Sequence, residues 1–147
     1  MQNVIVRSAG RHRQPGGDWE EIEITTTGTF YEKEASLYLL YEEVLGDDGK
    51  EESICKNRLK IRKDPLEVTI VKSGAVASCL TFSVNGRDVS DYATPFGNLN
   101  LDIETKHIHF EQTEDMPVKL DIHYTMQMNY GYISESMITI EARANHF

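Results

Sequence analysis

The sequence predicts an all-β protein, a single closed antiparallel up-and-down β-barrel of about eight to ten strands that takes up residues 1–147 as one domain. Three observations predict it. Apolar residues recur with period two along nearly the whole chain. Turn-forming clusters fall between the alternating runs. No long apolar stripe recurs at helical spacing.

The elements follow in order. Val4 and Val6 share a parity and start the first strand, and Ile22 with Ile24 the second. Leu37, Leu39 and Tyr41 form the next set, although Tyr38 and Leu40 make that strand apolar on both faces. Leu59 and Ile61 alternate with Lys56, Arg58, Lys60 and Arg62. Leu66, Val68 and Ile70 follow, then Leu80, Phe82 and Val84, then Leu99, Leu101 and Ile103. The even-numbered residues from Val118 to Met128 are a further set, and Ile138, Ile140 and Ala142 close the chain. The apolar parity changes between Ile103 and Ile108, which predicts a bulge or a strand break near Thr105.

The connections are short. Pro15-Gly16-Gly17, Gly46-Asp47-Asp48-Gly49, Asp64-Pro65, Ser73-Gly74 and Glu114-Asp115-Met116-Pro117 are turn signals. Asn85-Gly86 is the sharpest, because a two-residue type I′ hairpin needs positive φ at both central positions; it would set Phe82 across from Val89 on one face. Thr94-Pro95-Phe96-Gly97 fits a type I corner, with Phe96 free to fold back over a barrel end. Short connections favour up-and-down order, and closure removes strand edges that invite aggregation.

Composition limits the function. Net charge is −9 over 147 residues. A polyphosphate backbone rewards Lys and Arg, so nucleic acid is not the expected partner, and an anionic membrane surface is disfavoured for the same reason. The N-terminal stretch lacks a long apolar h-region, and no run approaches the roughly 20 apolar residues of a span, so a cytoplasmic protein is expected. Cys55 and Cys79 lack metal spacing and fit free thiols in that compartment.

Five stretches, "EITTTGTFYEK", "LYLLYEE", "VKSGAV", "ATPFGNLNLDIETK" and "MITIEA", stand in the order and spacing of the YwiB-like family of small bacterial β-barrels, and the chain resembles that family from Glu20 to Ala144. The resemblance implies a lipocalin or calycin-type barrel. It supplies a fold and no mechanism. "RLKIRKDP", Arg58 to Pro65, is more basic and longer than the resemblance implies, which leaves the register of the fourth and fifth strands open.

Candidate sites are few. Gly17-Asp18-Trp19 has the letters of the Gly-x-Trp that lipocalins carry, where the tryptophan closes a barrel end against a cation; a lone Trp packed at a strand start is the expectation here. His107 and His109 point to one strand face, and the hairpin through residues 114–117 brings His123 opposite His107. Three imidazoles would suit zinc, but the opposite parity is the apolar one, so these histidines are expected on the solvent face without a metal. Lys56, Arg58, Lys60 and Arg62 form either a basic stripe for an acidic partner or the exposed side of a half-buried strand. Lys72 shares the parity of Leu66, Val68 and Ile70, so its stem points inward, either as an end-cap or as the anchor of a ligand's acidic head.

Nucleophile motifs and phosphate loops are absent from the sequence, so no enzyme and no cofactor are expected. The expected function is binding of a small apolar or amphipathic ligand inside the barrel, with Tyr38, Tyr41, Lys72, Phe82 and Phe96 as lining or rim residues. The alternative is a filled barrel that acts through a surface or a homodimer interface, and oligomeric state is left open.

Overall fold

The computed structural model describes residues 1–44, 54–74, 77–84, 86–94, 97–128 and 132–145, with 90–94, 97–99, 128 and 132–133 described by their backbone alone. The Thr94–Gly97 corner, Phe96 included, therefore falls at the edge of or outside the described residues, as do Asn85 and the Gly46–Gly49 signal.

The described residues form ten antiparallel strands: β1 Gln2–Arg13, β2 Glu20–Lys33, β3 Ser36–Val44, β4 Ile54–Lys63, β5 Leu66–Gly74, β6 Ala77–Ser83, β7 Arg87–Thr94, β8 Gly97–Glu111, β9 Val118–Met128 and β10 Tyr132–Ala144. Each strand pairs with its neighbour in sequence, and β1 pairs with β10 to close the barrel. The order is up-and-down throughout, as the alternation and short turns predict. No described helix is long and apolar enough to cross a membrane.

The register left open in the basic stretch is now fixed. Asp64-Pro65 is a two-residue turn joining β4 to β5, with Lys63 opposite Leu66. Leu59 and Ile61 face inward at 0% and 1% exposure, and Lys56, Arg58, Lys60 and Arg62 face out. The parity change in β8 is a bulge between Thr105 and His107 within one continuous strand. Lys106 is the extra residue, and it lets Ile103 before it and Ile108 after it face the same interior.

The β6–β7 hairpin differs from the expectation. Ala77 pairs with Ala93 and Ser78 with Tyr92, a register one residue short of the one a two-residue Asn85-Gly86 turn would give. Gly86 N donates to Ser83 O across a three-residue connection. A one-residue change of register turns a strand over, so Val89 is 75% exposed while Phe82 is fully buried. The two stand on opposite faces.

The interior is filled unevenly. Call the end bearing the Gln14–Trp19 turn the upper end. The lower half is packed by Val6, Leu37, Leu39, Ile61, Phe82 and Leu120, each at most 1% exposed. Phe82 lies 4.8 Å from Tyr124, ring to ring and tilted by 56°, and this aromatic pair tops the packed layer.

The wall is also uneven. The β2–β3 ladder runs from Lys33 opposite Ser36 to Gly28 opposite Tyr41 and stops there. Gly28 marks the fork because nothing larger fits: a Cβ would stand 2.6 Å from Leu40 O and 2.9 Å from Val6 Cγ2. Above it, Glu20–Thr27 pair with β1 alone and Glu42–Val44 with β4 alone.

Candidate functional site

Above the Phe82–Tyr124 layer the barrel is hollow. A cavity of about 350 Å³ occupies the upper half. Its apolar wall comes from inward positions of four strands: Ile24 of β2, Ile70 of β5, Leu80 of β6, and Ile138 and Ile140 of β10. Ile22 also lines it and is 65% exposed, because it stands where β2 has parted from β3.

A polar cross-strand row runs past the cavity, and its Tyr41, Lys72 and Ser78 line the wall. The pairing register sets Tyr41, Asn57, Lys72 and Ser78 side by side on β3 to β6. Glu43 and Cys55 form the next row up. Lys72 Nζ donates to Glu43 Oε1 at 2.8 Å, and Asn57 Nδ2 donates to the same oxygen at 3.1 Å. The pair is half-withdrawn from water, with side chains 34% and 15% exposed. Asn57 is 3% exposed, and its Oδ1 is buried without a hydrogen-bond partner. The Tyr41 hydroxyl hydrogen-bonds Ser8, and burial, helped by the Glu43 carboxylate, pushes its pKa up to about 12.

A second polar group closes the opposite side. His12 Nδ1 lies 2.8 Å from Ser136 Oγ, and Tyr124 hydrogen-bonds the same serine. Burial, together with the Lys72 charge, holds the His12 pKa below the usual imidazole value, opposed by Glu20. Burial raises that of Tyr124. His12 also lines an outer recess of about 520 Å³ with Gln14, Asp18 and Met126, so it stands between cavity and mouth. Chemically, His12 and Ser136 have the spacing of a base and a hydroxyl. Ser136, however, is 0% exposed, is shared with Tyr124 and is not on the cavity wall.

The structure separates the expected lining residues. Tyr41 and Lys72 face the cavity together. Phe82 lies in the packed layer below, in contact with Tyr124 but not on the cavity wall. Tyr38 is on the outer face, stacked on Tyr31 with ring centroids 4.9 Å apart and Lys60 Nζ 5.9 Å above the ring. Parity dictates this: Leu37, Leu39 and Tyr41 take the interior, so Tyr38 cannot. Phe96 lies outside the described residues.

The histidines sit as the register predicts. His107 is opposite His123, and the His107 and His109 rings are 6.5 Å apart on one face. His109 Nε2 lies 3.0 Å from Glu111 Oε1, and His123 Nε2 lies 3.7 Å from Glu135 Oε1. Among the described residues no three His, Cys, Asp or Glu side chains come together around a metal position. Trp19 packs outside the barrel between two guanidinium groups, with Arg11 and Arg13 carbons 4.9 and 4.5 Å from its ring centre.

Sequence reasoning passed over Asn57, His12, Ser78 and Ser136. The signal was present: Asn57 has the parity of Leu59 and Ile61, His12 that of Val4 and Val6, and Ser136 that of Ile138 and Ile140.

Comparison with known proteins agrees with this architecture. A chain described as the uncharacterized β-barrel protein YwiB of Bacillus subtilis (strain 168) is 30% identical over 112 residues, covering 76% of this chain and 73% of that one. The crystal structure of the ywiB protein from Bacillus subtilis superposes with a TM-score of 0.77 at 25% identity, covering 98% of this chain and 92% of that one. The family model described as "Domain of unknown function (DUF1934)" matches residues 6–140. With that match across nearly its whole length, the chain belongs to the DUF1934 family of YwiB-like β-barrels.

Proposed function

We propose that this barrel binds one small, partly apolar molecule in its upper half. One observation carries the reading: the interior is close-packed below Phe82 and Tyr124, yet hollow by about 350 Å³ above them, where its wall carries a charged pair. Protein interiors are ordinarily filled. Apolar replacements for a buried ion pair are often neutral or stabilising, so a barrel selected for rigidity alone has little use for Glu43 and Lys72. An apolar cavity with a few convergent polar groups is the usual form of a small-molecule site. Its size and its place at one mouth also suit the single-ligand chemistry of eight-to-ten-stranded barrels.

Binding rather than catalysis is the reading because the sequence carries no nucleophile motif and Ser136, beside His12, is not on the cavity wall. Cys55 and Cys79 are not joined in a disulfide, which favours a cytoplasmic setting. Native mass spectrometry of the protein purified from its source cell tests the reading. The expected result is a retained small molecule in wild type that is missing from Leu80→Trp, whose indole fills the cavity. An unadorned mass for both, over several preparations, contradicts it.

A second reading draws on the outer wall. A groove of about 880 Å³ runs beside the fork, lined by Thr27, Thr29, Leu40, Glu42, Lys56 and Arg58. Lys56 and Arg58 have no ion-pair partner among the described residues, on a chain of net charge −9. This favours docking of an acidic surface, for which a second copy is the nearest source. Light scattering of wild type beside Lys56→Glu/Arg58→Glu tests it: a wild-type dimer lost in the variant supports it, and identical masses remove it.

A further inference from the structure

The fork in the wall leaves a strand edge open. Up to Gly28 the edge of β2 is occupied by β3; beyond it, Glu20–Thr27 pair with β1 on one side and with no described residue on the other. The opposite lip does not reach across, since Glu42–Val44 pair with β4 and not with β2. In an antiparallel strand every second residue turns its N–H and C=O to the same side. Alternate residues of Glu20–Thr27 therefore present donors and acceptors to the opening, and such an edge is a template for one more strand.

Both lips also carry apolar side chains in the open. Ile22 on β2 is 65% exposed and Val44 on β3 is 57% exposed. Ile22 has the parity of Ile24 and Phe30, which pack in the interior, so it is exposed because a neighbouring strand is missing and not because it points away. A strand laid against β2 would cover it.

Charge selects the strand. Glu20, Glu21 and Glu23 crowd the upper part of the edge, and Glu21 and Glu23 alternate with Ile22 and so stand on the outer face. Glu23 is engaged by Arg7 at 2.7 Å, whereas Glu20 and Glu21 form no ion pair among the described residues. Lys56 and Arg58 stand at the foot of the edge, level with Glu42 and Leu40, and leave its upper part acidic. A second copy would bring the same glutamates to the same edge, and like charges on neighbouring strands destabilise pairing. A basic strand gains from them.

We propose that the open edge of β2 takes up an extended segment of a partner polypeptide, with Lys or Arg at its outward positions beside Glu21 and Glu23 and apolar residues at its inward positions beside Ile22 and Ile24. Main-chain hydrogen bonds supply the affinity, and the alternation supplies the specificity. The inference goes beyond small-molecule binding in the cavity and stands without it.

Three peptides test this: KVKVKVK, EVEVEVE, and KVKVKVK methylated at its backbone nitrogens. Each is titrated into the full chain, with the amides of Glu20–Thr27 observed by NMR and their hydrogen exchange timed. KVKVKVK is expected to shift these amides, to slow the exchange of every second one, and to bind at least about tenfold tighter than EVEVEVE. The methylated form keeps the side chains but cannot donate, and should not bind. Glu20→Lys/Glu21→Lys, at two exposed positions, should exchange the order of the first two peptides. Equal binding of the methylated form would overturn the inference in favour of charge attraction without strand addition. Slow exchange throughout Glu20–Thr27 before any peptide is added would overturn it as well: in favour of a second copy if the protection grows with protein concentration, and of an edge covered by its own chain if it does not. Amides unmoved by every peptide would remove it.

Discussion

Lys72 and Glu43 meet inside the barrel, Nζ to Oε1 at 2.8 Å, on the wall of a cavity whose far side is isoleucine. Two charges so placed cost desolvation and return attraction, and the balance is settled by their mutual pairing and by the Asn57 amide. Removing one partner strands the other. Lys72→Met or Glu43→Gln alone should lower stability by about 1–2 kcal/mol, discounted for the partial exposure of the lysine. The double variant should lose clearly less than the sum. Urea unfolding of the four proteins measures the coupling, and strict additivity would mean that the pair is solvated and inert.

His12 gives a pH prediction. Burial and Lys72 hold its folded pKa below the ordinary value, and Glu20 opposes them only in part. The unfolded imidazole takes up its proton near pH 6.5. Between that value and the lower folded pKa, the unfolded chain binds more protons, so stability falls as pH drops below about 6.5. His12→Gln should flatten this segment of the stability–pH curve relative to wild type. NMR titration of the ring should give a midpoint below 6.5; a midpoint above it would contradict the burial.

Filling and overfilling distinguish the two halves. Ile138→Phe adds volume beside the cavity and should change stability by less than about 1 kcal/mol. Ile61→Phe adds the same kind of volume in the packed half and should cost about 1–3 kcal/mol. Phe82→Ala empties the layer between them and should cost about 3–5 kcal/mol. Thermal melts rank the three.

Tyr38 and Tyr41 should separate in any binding assay. Tyr41→Phe removes the hydroxyl bonded to Ser8 on the cavity wall and should alter ligand affinity. Tyr38→Ala removes only the outer stack on Tyr31 and the Lys60 contact, so affinity should stay at wild type while stability falls by about 1 kcal/mol. Equal losses from both would contradict the face assignment.

These two tyrosines also show what the sequence carried. Period two named the interior set of nearly every strand and turned Lys72 inward, because side-chain direction follows parity alone. In β3 the parity was masked: Tyr38 and Leu40 are as apolar as Leu37 and Leu39, and only the neighbours on β2 and β4 decide which face is inside. The β6–β7 hairpin failed for a different reason. Loop length sets register, and one added residue exposed Val89 and left Phe82 buried without it. An irregularity near Thr105, bulge or break, was legible because two apolar runs of opposite parity had to face one core, and the continuous ladder with β9 decides for the bulge. The polar row was not, since Asn57 at an inward position reads as an exception until Glu43 and Lys72 are seen beside it.

Xenon under pressure reports most directly on whether the upper half is an open apolar cavity while the lower half is packed. In pressurised crystals, xenon should occupy the space between Ile70, Leu80 and Ile138 and be absent below Phe82 and Tyr124. An interior without xenon, or one that takes it equally in both halves, would contradict the account.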